Sequence, residues 1–388
     1  MFRVGKEEIE QVTKSIESKD LFKLNNGCRQ CYNVEEKLCN ITGSKYSIFM
    51  TSGQAALTTA LVALGIGPGD QVIVPGYTYI ATAMAVVAAG AMPVIAEIDD
   101  TLTISPEDIE AKITKYTKAI IPVHIIGLPC DMDKICAIAK KHNLYVIEDA
   151  CQADGGSYKG KRLGSIGDAG AFSFNYFKII TSGEGGAMLT NSREVFERSL
   201  IYHDSSAVAF FGNQMEEFTT EGFCGTEFRA NELCGAMVNA QLDKLEGILS
   251  NLRETKKYIT DGIKDVIKLA PSNDPEGDCS INVCVQFDSS EKASDFAEKC
   301  KEFGAFVVIN SDRHVYSNWQ PILEKKGALN PLMDPFKMEA NKDAQIEYTK
   351  DMCPKTLDIL SKTVSFCLKC DMTKEQCDKI IDTMRKAF

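Results

Sequence analysis

The chain has 388 residues, 44% hydrophobic and 25% charged, the composition of a folded globular protein large enough for a main core and a smaller second unit. Lys plus Arg number 43 against 54 Asp plus Glu, a formal net charge of −11, which argues against nucleic acid or an anionic membrane surface as a partner. No run approaches the roughly 20 apolar residues of a membrane span and residues 1–20 read as a charged amphipathic helix, not a signal peptide, so the expected address is the cytoplasm.

In such a compartment the 15 cysteines are expected as reduced thiols. Two Cys-x-x-Cys pairs, Cys28/Cys31 and Cys367/Cys370, lie near opposite ends of the sequence, and nothing in it makes them converge on a metal.

After the N-terminal helix, FMTSGQAAL passes from an apolar segment through Thr51-Ser52-Gly53 into a helix. From about residue 70 strand-like and helix-like segments alternate in the rhythm of an α/β fold. QVIVPGYTY reads as a strand, IATAMAVVAAG as a helix and MPVIAEID as a strand. SPEDIEAKITKYT reads as a helix capped by Ser105 with Pro106 at its first position. KAIIPVHIIG, LYVIEDA, GAFSFN and GGAMLTN read as further strands, and DMDKICAIAKKHN as a helix. The alternation predicts a large, mostly parallel sheet with helices on its faces. Long helices follow, then the strands SINVCVQFD and AFVVIN around a helix, with a last helix at MTKEQCDKIIDTMRKAF. The expected division is a large unit over 1–245, its N-terminal helix packing outside the main sheet, and a small α+β unit over 246–388.

Chemistry gathers around FSFNYFKIITSGEGG, where Lys178 sits in an apolar, aromatic run. Burying an ammonium is costly unless it is paired, deprotonated or bonded to something. Asp149 ends the apolar strand LYVIED, where ligands of open α/β sheets bind. The turn Ser52-Gly53 entering a helix is a natural anion site, because free N–H groups and the helix dipole converge there. Tyr79 offers an aromatic face at another strand end. A lysine nucleophile, a carboxylate, a phosphate cradle and an aromatic plate are the set a pyridoxal phosphate enzyme needs.

These segments resemble the DegT/DnrJ/EryC1/StrS sugar aminotransferases, of the aspartate aminotransferase-like fold type I. The resemblance runs from about residue 25 to about 250 and rests on TSGQAAL, VPGYTYIATAMAVVAAGAMPVIAEID, PVHIIGLPCDMDKICAIAKKHNLYVIEDACQADGG, FKIITSGEGG and FRANELCGAM. It implies that Lys178 is the Schiff-base lysine and proton carrier and that Asp149 salt-bridges the pyridine nitrogen. It further implies that Gln152 bonds the phenolic oxygen and Tyr79 stacks on the ring, while Gly53, Gln54 and Ser173 hold the phosphate. The reaction implied moves an amino group from an amino acid, glutamate first and glutamine second, to a keto or aldehyde sugar, by way of pyridoxamine phosphate. A homodimer with a shared active site is implied as well. Two other readings are a pyridoxamine-dependent sugar dehydratase, whose relatives carry His in place of the lysine, and a cofactor-binding regulator without turnover.

Three positions depart from the family pattern: Gln54 stands where Thr is usual, Asp154 where His is common, and Glu227 where Asn precedes the aromatic-Arg pair. A carboxylate beside a phosphate is repulsive unless a cation such as Arg229 bridges it. Beyond about residue 305 the segment VVINSDRHVYSNWQPILEKKGALNPLMDPF is similar to the branch that aminates an octulosonate sugar acid. Arg313, His314 and Trp319, with Arg229, are therefore substrate candidates, and the acceptor is either a nucleotide-linked 4-keto-6-deoxyhexose or an 8-oxo-octulosonate-type acid.

Overall fold

In the computed structural model, which describes residues 3–207 and 217–388, seven short apolar stretches form the main sheet. They are β1 (Tyr46–Met50), β2 (Gln71–Pro75), β3 (Met92–Ala96), β4 (Thr117–Ile120), β5 (Tyr145–Asp149) and, after a small hairpin of β6 (Ser157–Tyr158) and β7 (Lys161–Arg162), β8 (Ala169–Ser173) and β9 (Gly186–Thr190). Their order is β1-β9-β8-β5-β4-β2-β3. Only β9 is reversed, antiparallel to β1 and to β8, while the other pairs are parallel. Six strands thus end at one edge, and the residues that follow β1, β2, β5 and β8 meet there.

Helices cover both faces, as the nearly continuous apolar strands require. On one face lie α3 (Gly53–Ala63), α4 (Ala81–Ala88) and α7 (Arg193–His203), packed on Ile48, Val72, Val74 and Ile147. On the other lie α2 (Gln30–Thr42), α5 (Pro106–Lys112), α6 (Met132–His142) and α8 (Glu232–Asp261), around Phe49, Ile73, Ile120 and Val146. The N-terminal helix α1 (Lys6–Ser18) is outside the sheet and packs along α8; the salt bridges of Lys244 to Glu7 and Glu8 tie the two together.

The expected 245/246 boundary falls inside the 30-residue α8. A three-stranded antiparallel sheet follows, ordered β10-β12-β11 from β10 (Asn282–Gln286), β11 (Phe306–Val307) and β12 (Thr363–Cys367). It is backed by α9 (Ser290–Lys299) and α12 (Lys374–Ala387). Between β11 and β12 the chain leaves this sheet and returns to the main one. Tyr316, Trp319, Phe336 and Tyr348 join the α3/α4 side of the core, the short α10 (Gln320–Leu323) and α11 (Pro354–Ser361) lie on this excursion, and Tyr316 N–H donates to the Gly76 carbonyl at 3.0 Å.

Two segments differ from the sequence reading. The helix begun by Ser105 and Pro106 stops at Lys112, since Ile113 is already extended and Thr114 N–H is taken by Thr117 Oγ1 at 2.9 Å. The strand expected through KAIIPVHIIG ends at Ile120, and HIIG becomes a tight turn in which Ile126 has φ 47° and ψ 32°.

Candidate active site

The carboxyl edge of the main sheet opens into a cavity of about 720 Å³ whose lining includes Gly53, Gln54, Tyr79, Asp149, Gln152, Ser173, Lys178, Arg313 and His314. All seven residues expected to bind the cofactor face it, although they come from four strand ends. α3 aims its N-terminus at this space. Ser52 caps the helix by accepting Ala55 N–H at Oγ, 3.0 Å, which leaves the N–H groups of Gly53 and Gln54 without an intrahelical carbonyl. A Cβ on Gly53 would stand 2.5 Å from Cys151 Sγ and 2.9 Å from Ser173 Cβ, so only glycine fits. Ser173 is buried and its Oγ accepts Asn175 N–H at 3.4 Å, which leaves its hydroxyl proton available to a ligand.

Asp149 ends β5 with 5% exposure. Its Oδ2 accepts the Thr82 hydroxyl at 2.7 Å and its Oδ1 accepts Cys151 N–H at 3.1 Å. Thr82 in turn lies 2.7 Å from Thr78 Oγ1, so a chain of hydroxyls from the start of α4 holds the carboxylate. Behind it is a second buried network. His124 Nδ1 accepts Cys130 N–H at 3.1 Å, so Nε2 carries the ring proton and donates to Glu148 Oε2, also at 3.1 Å. Glu148 further accepts the N–H groups of Gly164, Ile166 and Gly167, which fastens β5 from below.

Gln152 presents a defined end of its carboxamide. Its Oε1 accepts Ile126 N–H at 3.0 Å, which leaves the NH₂ group as the free donor.

Lys178 lies on the loop between β8 and β9. Phe174, Ile179 and Ile180 bury themselves in the core on either side of it, and Lys178 N–H donates to the Asn175 carbonyl at 3.0 Å. Among the described residues its ammonium makes no hydrogen bond or ion pair; it stands in the cavity with Asp149, Gln152 and Ser173. A Cβ on Gly186 would collide with the Ser52 carbonyl, so the glycines after the lysine let β9 pass close against the α3 turn. Tyr176 and Phe177 are 59% and 75% exposed, and Phe177 stands at the cavity rim.

The far wall comes from the excursion between β11 and β12. The carbonyls of His314 and Arg313 accept Thr78 N–H and Ile80 N–H at 2.9 and 3.0 Å, which lays this segment beside Tyr79. The His314 ring is 5.4 Å from that of Tyr79. Burial, and then the charge of Lys178, push its imidazole down to about 4, so at neutral pH it is an uncharged hydrogen-bonding ring. The Arg313 side chain is largely exposed at the mouth.

Two substrate candidates require correction. Trp319 is fully buried, and its indole N–H donates to the Arg313 carbonyl at 2.9 Å; it props the segment that carries Arg313 and His314 and cannot touch a ligand. Arg229 does not line the cavity of its own chain. Its guanidinium is held by the Asp204 carbonyl at 3.0 Å and by Glu227 at 2.5 Å, so Glu227 is already paired with its cation. Asp154, at the position where the family pattern has His, is turned away into an apolar space beside Phe172, Phe174 and Leu245.

Lys178, Gln152, Phe177 and His314 also border an adjoining chamber of about 210 Å³, closed by Tyr77, Ile126, Ile281, Asn282, Phe306 and Cys367. Thr82, Cys151 and Ile126 were missed in the sequence. A hydroxyl in the otherwise apolar start of α4 was a usable signal for Thr82; a left-handed isoleucine leaves none.

Comparison with known proteins gives a consistent picture. A sequence profile of the DegT/DnrJ/EryC1/StrS aminotransferase family matches residues 3–385. GDP-perosamine synthase of Escherichia coli O157:H7 is 38% identical over 236 residues, 61% of this chain and 63% of the relative's length, so the match spans less than two thirds of that protein. The dTDP-3-amino-3,6-dideoxy-alpha-D-galactopyranose transaminase of Aneurinibacillus thermoaerophilus is 33% identical over 91% of this chain and 89% of its own. The X-ray structure of the aminotransferase from Psychrobacter cryohalolentis superposes with a TM-score of 0.81 at 26% identity, covering 100% of this chain and 98% of that one. The α/β architecture with a large, mostly parallel sheet that the sequence predicts is the fold of this protein.

Proposed function

This chain belongs to the DegT/DnrJ/EryC1/StrS aminotransferase family, and from that premise we propose that it is a pyridoxal phosphate-dependent aminotransferase acting on a keto sugar. The observation that carries the reading is the convergence of Lys178, Asp149, Gln152, Ser173 and the α3 N-terminus on one cavity. The donor set fits the cofactor: a helix N-terminus with two free N–H groups for a phosphate, a buried carboxylate for a pyridinium nitrogen, a carboxamide donor for a phenolic oxygen and an unpaired amine. The cradle at Gly53, which a Cβ would fill, supports the same fit.

When bound, the cofactor supplies an electron sink that stabilises negative charge at the carbon losing its proton. Gly53, Gln54 and Ser173 would anchor its phosphate, and Tyr79 would cover the ring. Asp149, held by Thr82 and the Cys151 N–H, would pair with the ring nitrogen and favour its protonated form. Lys178 Nζ would be the amine that holds the cofactor, and, standing in the cavity with Asp149, Gln152 and Ser173, it would serve as the base that carries the proton during amino transfer. Glutamate is the donor we favour.

The names of the relatives support a nucleotide-linked keto sugar as acceptor. Exposed Phe177 at the rim, with exposed Tyr176 next to it in the chain, supports a homodimer in which a second copy covers the site. Fold alone does not separate amino transfer from the dehydratase chemistry of related proteins; the lysine at 178 favours transfer.

The test is spectroscopic. Protein loaded with pyridoxal phosphate should be yellow, should bleach on addition of L-glutamate, and should then pass the amine to a member of a panel of nucleotide-linked keto sugars and free sugar acids. The Lys178→Ala variant should lose at least a thousandfold in turnover, about 4 kcal/mol of barrier. Retention of full turnover by that variant would sink the proposal.

A further inference from the structure

The turn His124–Leu128 holds, among the described residues lining the cavity and its adjoining chamber, the one non-glycine residue with a left-handed backbone. Ile126 has φ 47° and ψ 32°, the left-handed region that a β-branched side chain adopts only at a cost. Its surroundings fix it there. The Ile125 side chain is fully buried, Leu128 N–H donates to the Ile125 carbonyl at 2.9 Å, and the Gly127 carbonyl accepts Cys279 N–H at 3.1 Å. Strain maintained on both flanks is expected where the conformation serves the site.

Two consequences follow from this backbone. The Ile126 N–H points at Gln152 Oε1, 3.0 Å away, and fixes the carboxamide with its NH₂ free. The side chain, half-buried, enters the 210 Å³ chamber that adjoins Lys178. Among the described residues that chamber has no charged wall besides Lys178: its other polar members are Tyr77, Gln152, Asn282, Ser311, Cys367 and the uncharged His314 ring. A neutral space with apolar walls and hydroxyl or amide edges suits a neutral sugar ring and not a phosphate or carboxylate.

The geometry points to Ile126 as a specificity-determining residue, which rests on the aminotransferase reading: its left-handed backbone orients Gln152 while its side chain limits the size of the neutral sugar ring that the chamber admits. The role of the side chain separates from that of the N–H, because glycine keeps the N–H and adopts φ 47° freely.

The test uses Ile126→Gly and Ile126→Ala in the full chain. Without cofactor, the glycine variant should melt about 1–2 °C above the alanine variant, the reverse of the order expected at an unstrained position. In cofactor-loaded protein, calorimetry should compare a nucleotide-linked 4-keto-6-deoxyhexose with its counterpart that keeps the 6-hydroxyl. Ile126→Gly should shift the ratio of the two dissociation constants about tenfold or more towards the bulkier sugar. An alanine variant that melts higher, or an unmoved ratio, overturns the inference while leaving the aminotransferase reading intact. A wild type that never takes up pyridoxal phosphate overturns both, and one that takes it up but binds neither sugar removes the chamber as a sugar-ring site.

Discussion

Asp149 and Asp154 lie five residues apart on the segment leaving β5, and both are buried, at 5% and 2% exposure. The region around Asp149 supplies a hydroxyl and a backbone N–H to its carboxylate. The region around Asp154 supplies nothing: neither carboxyl oxygen has a hydrogen-bond partner, and burial pushes its carboxyl well above the usual range, against the opposing charge of Lys178. One turn of chain therefore carries a carboxyl group furnished with donors and presented to a ligand, and another whose burial without donors favours its protonated form. Burial is common to both; the supply of donors decides the difference.

Removing the anion on the furnished side should have the larger effect. Asp149→Asn should lower kcat/KM at least a hundredfold, about 2.7 kcal/mol of barrier, because a neutral amide cannot hold a proton on the pyridine nitrogen. An equal loss in Asp154→Asn would erase the contrast. On the bare side the effect should appear in stability. The folded Asp154 holds its proton above the pH at which the unfolded residue has released it, so wild-type stability falls as pH rises from the unfolded value near 4 towards the raised folded value. Within that window the slope from this group is about 1.4 kcal/mol per pH unit. Asp154→Asn lacks it, so thermal melts should diverge in favour of the variant as pH is raised from 5 to 8; parallel curves would contradict the assignment. The smallest effect is expected from Thr82→Val, which deletes one of the two donors to Asp149. It should cost about 1 kcal/mol of stability and roughly three- to tenfold in turnover, and a loss equal to that of Asp149→Asn would mean that the hydroxyl does more than orient the carboxylate.

The furnished region was legible in the sequence and the bare one was not. Strand-end position and small polar turns put Asp149, Ser52 and Gly53 at the carboxyl edge, because local patterns govern how a strand runs into a helix. Lys178 was legible as an ammonium in an apolar run. The fate of Asp154 depends on Phe172, Phe174 and Leu245, which come from β8, the loop after it and α8, and no local pattern announces that packing. Trp319 failed for the same reason: a lone tryptophan beside Arg313 and His314 suggests a binding surface, yet its ring completes the core beneath them. The 245/246 boundary follows from the point where strand–helix alternation gives way to long polar helices and a second α+β pattern; α8 runs through that point, and the chain between β11 and β12 returns to the main sheet. Chain excursions of that kind are long-range events, and Ile126 shows the same limit at the scale of one backbone angle.

The central claim is that Lys178 is the amine that holds the cofactor. Treating the pyridoxal phosphate-loaded protein with borohydride, then mapping the peptides by mass spectrometry, tests it directly. The account predicts the cofactor's added mass on Lys178, with none on that peptide in Lys178→Ala; stoichiometric labelling of another lysine, or no label in a yellow protein, would contradict it.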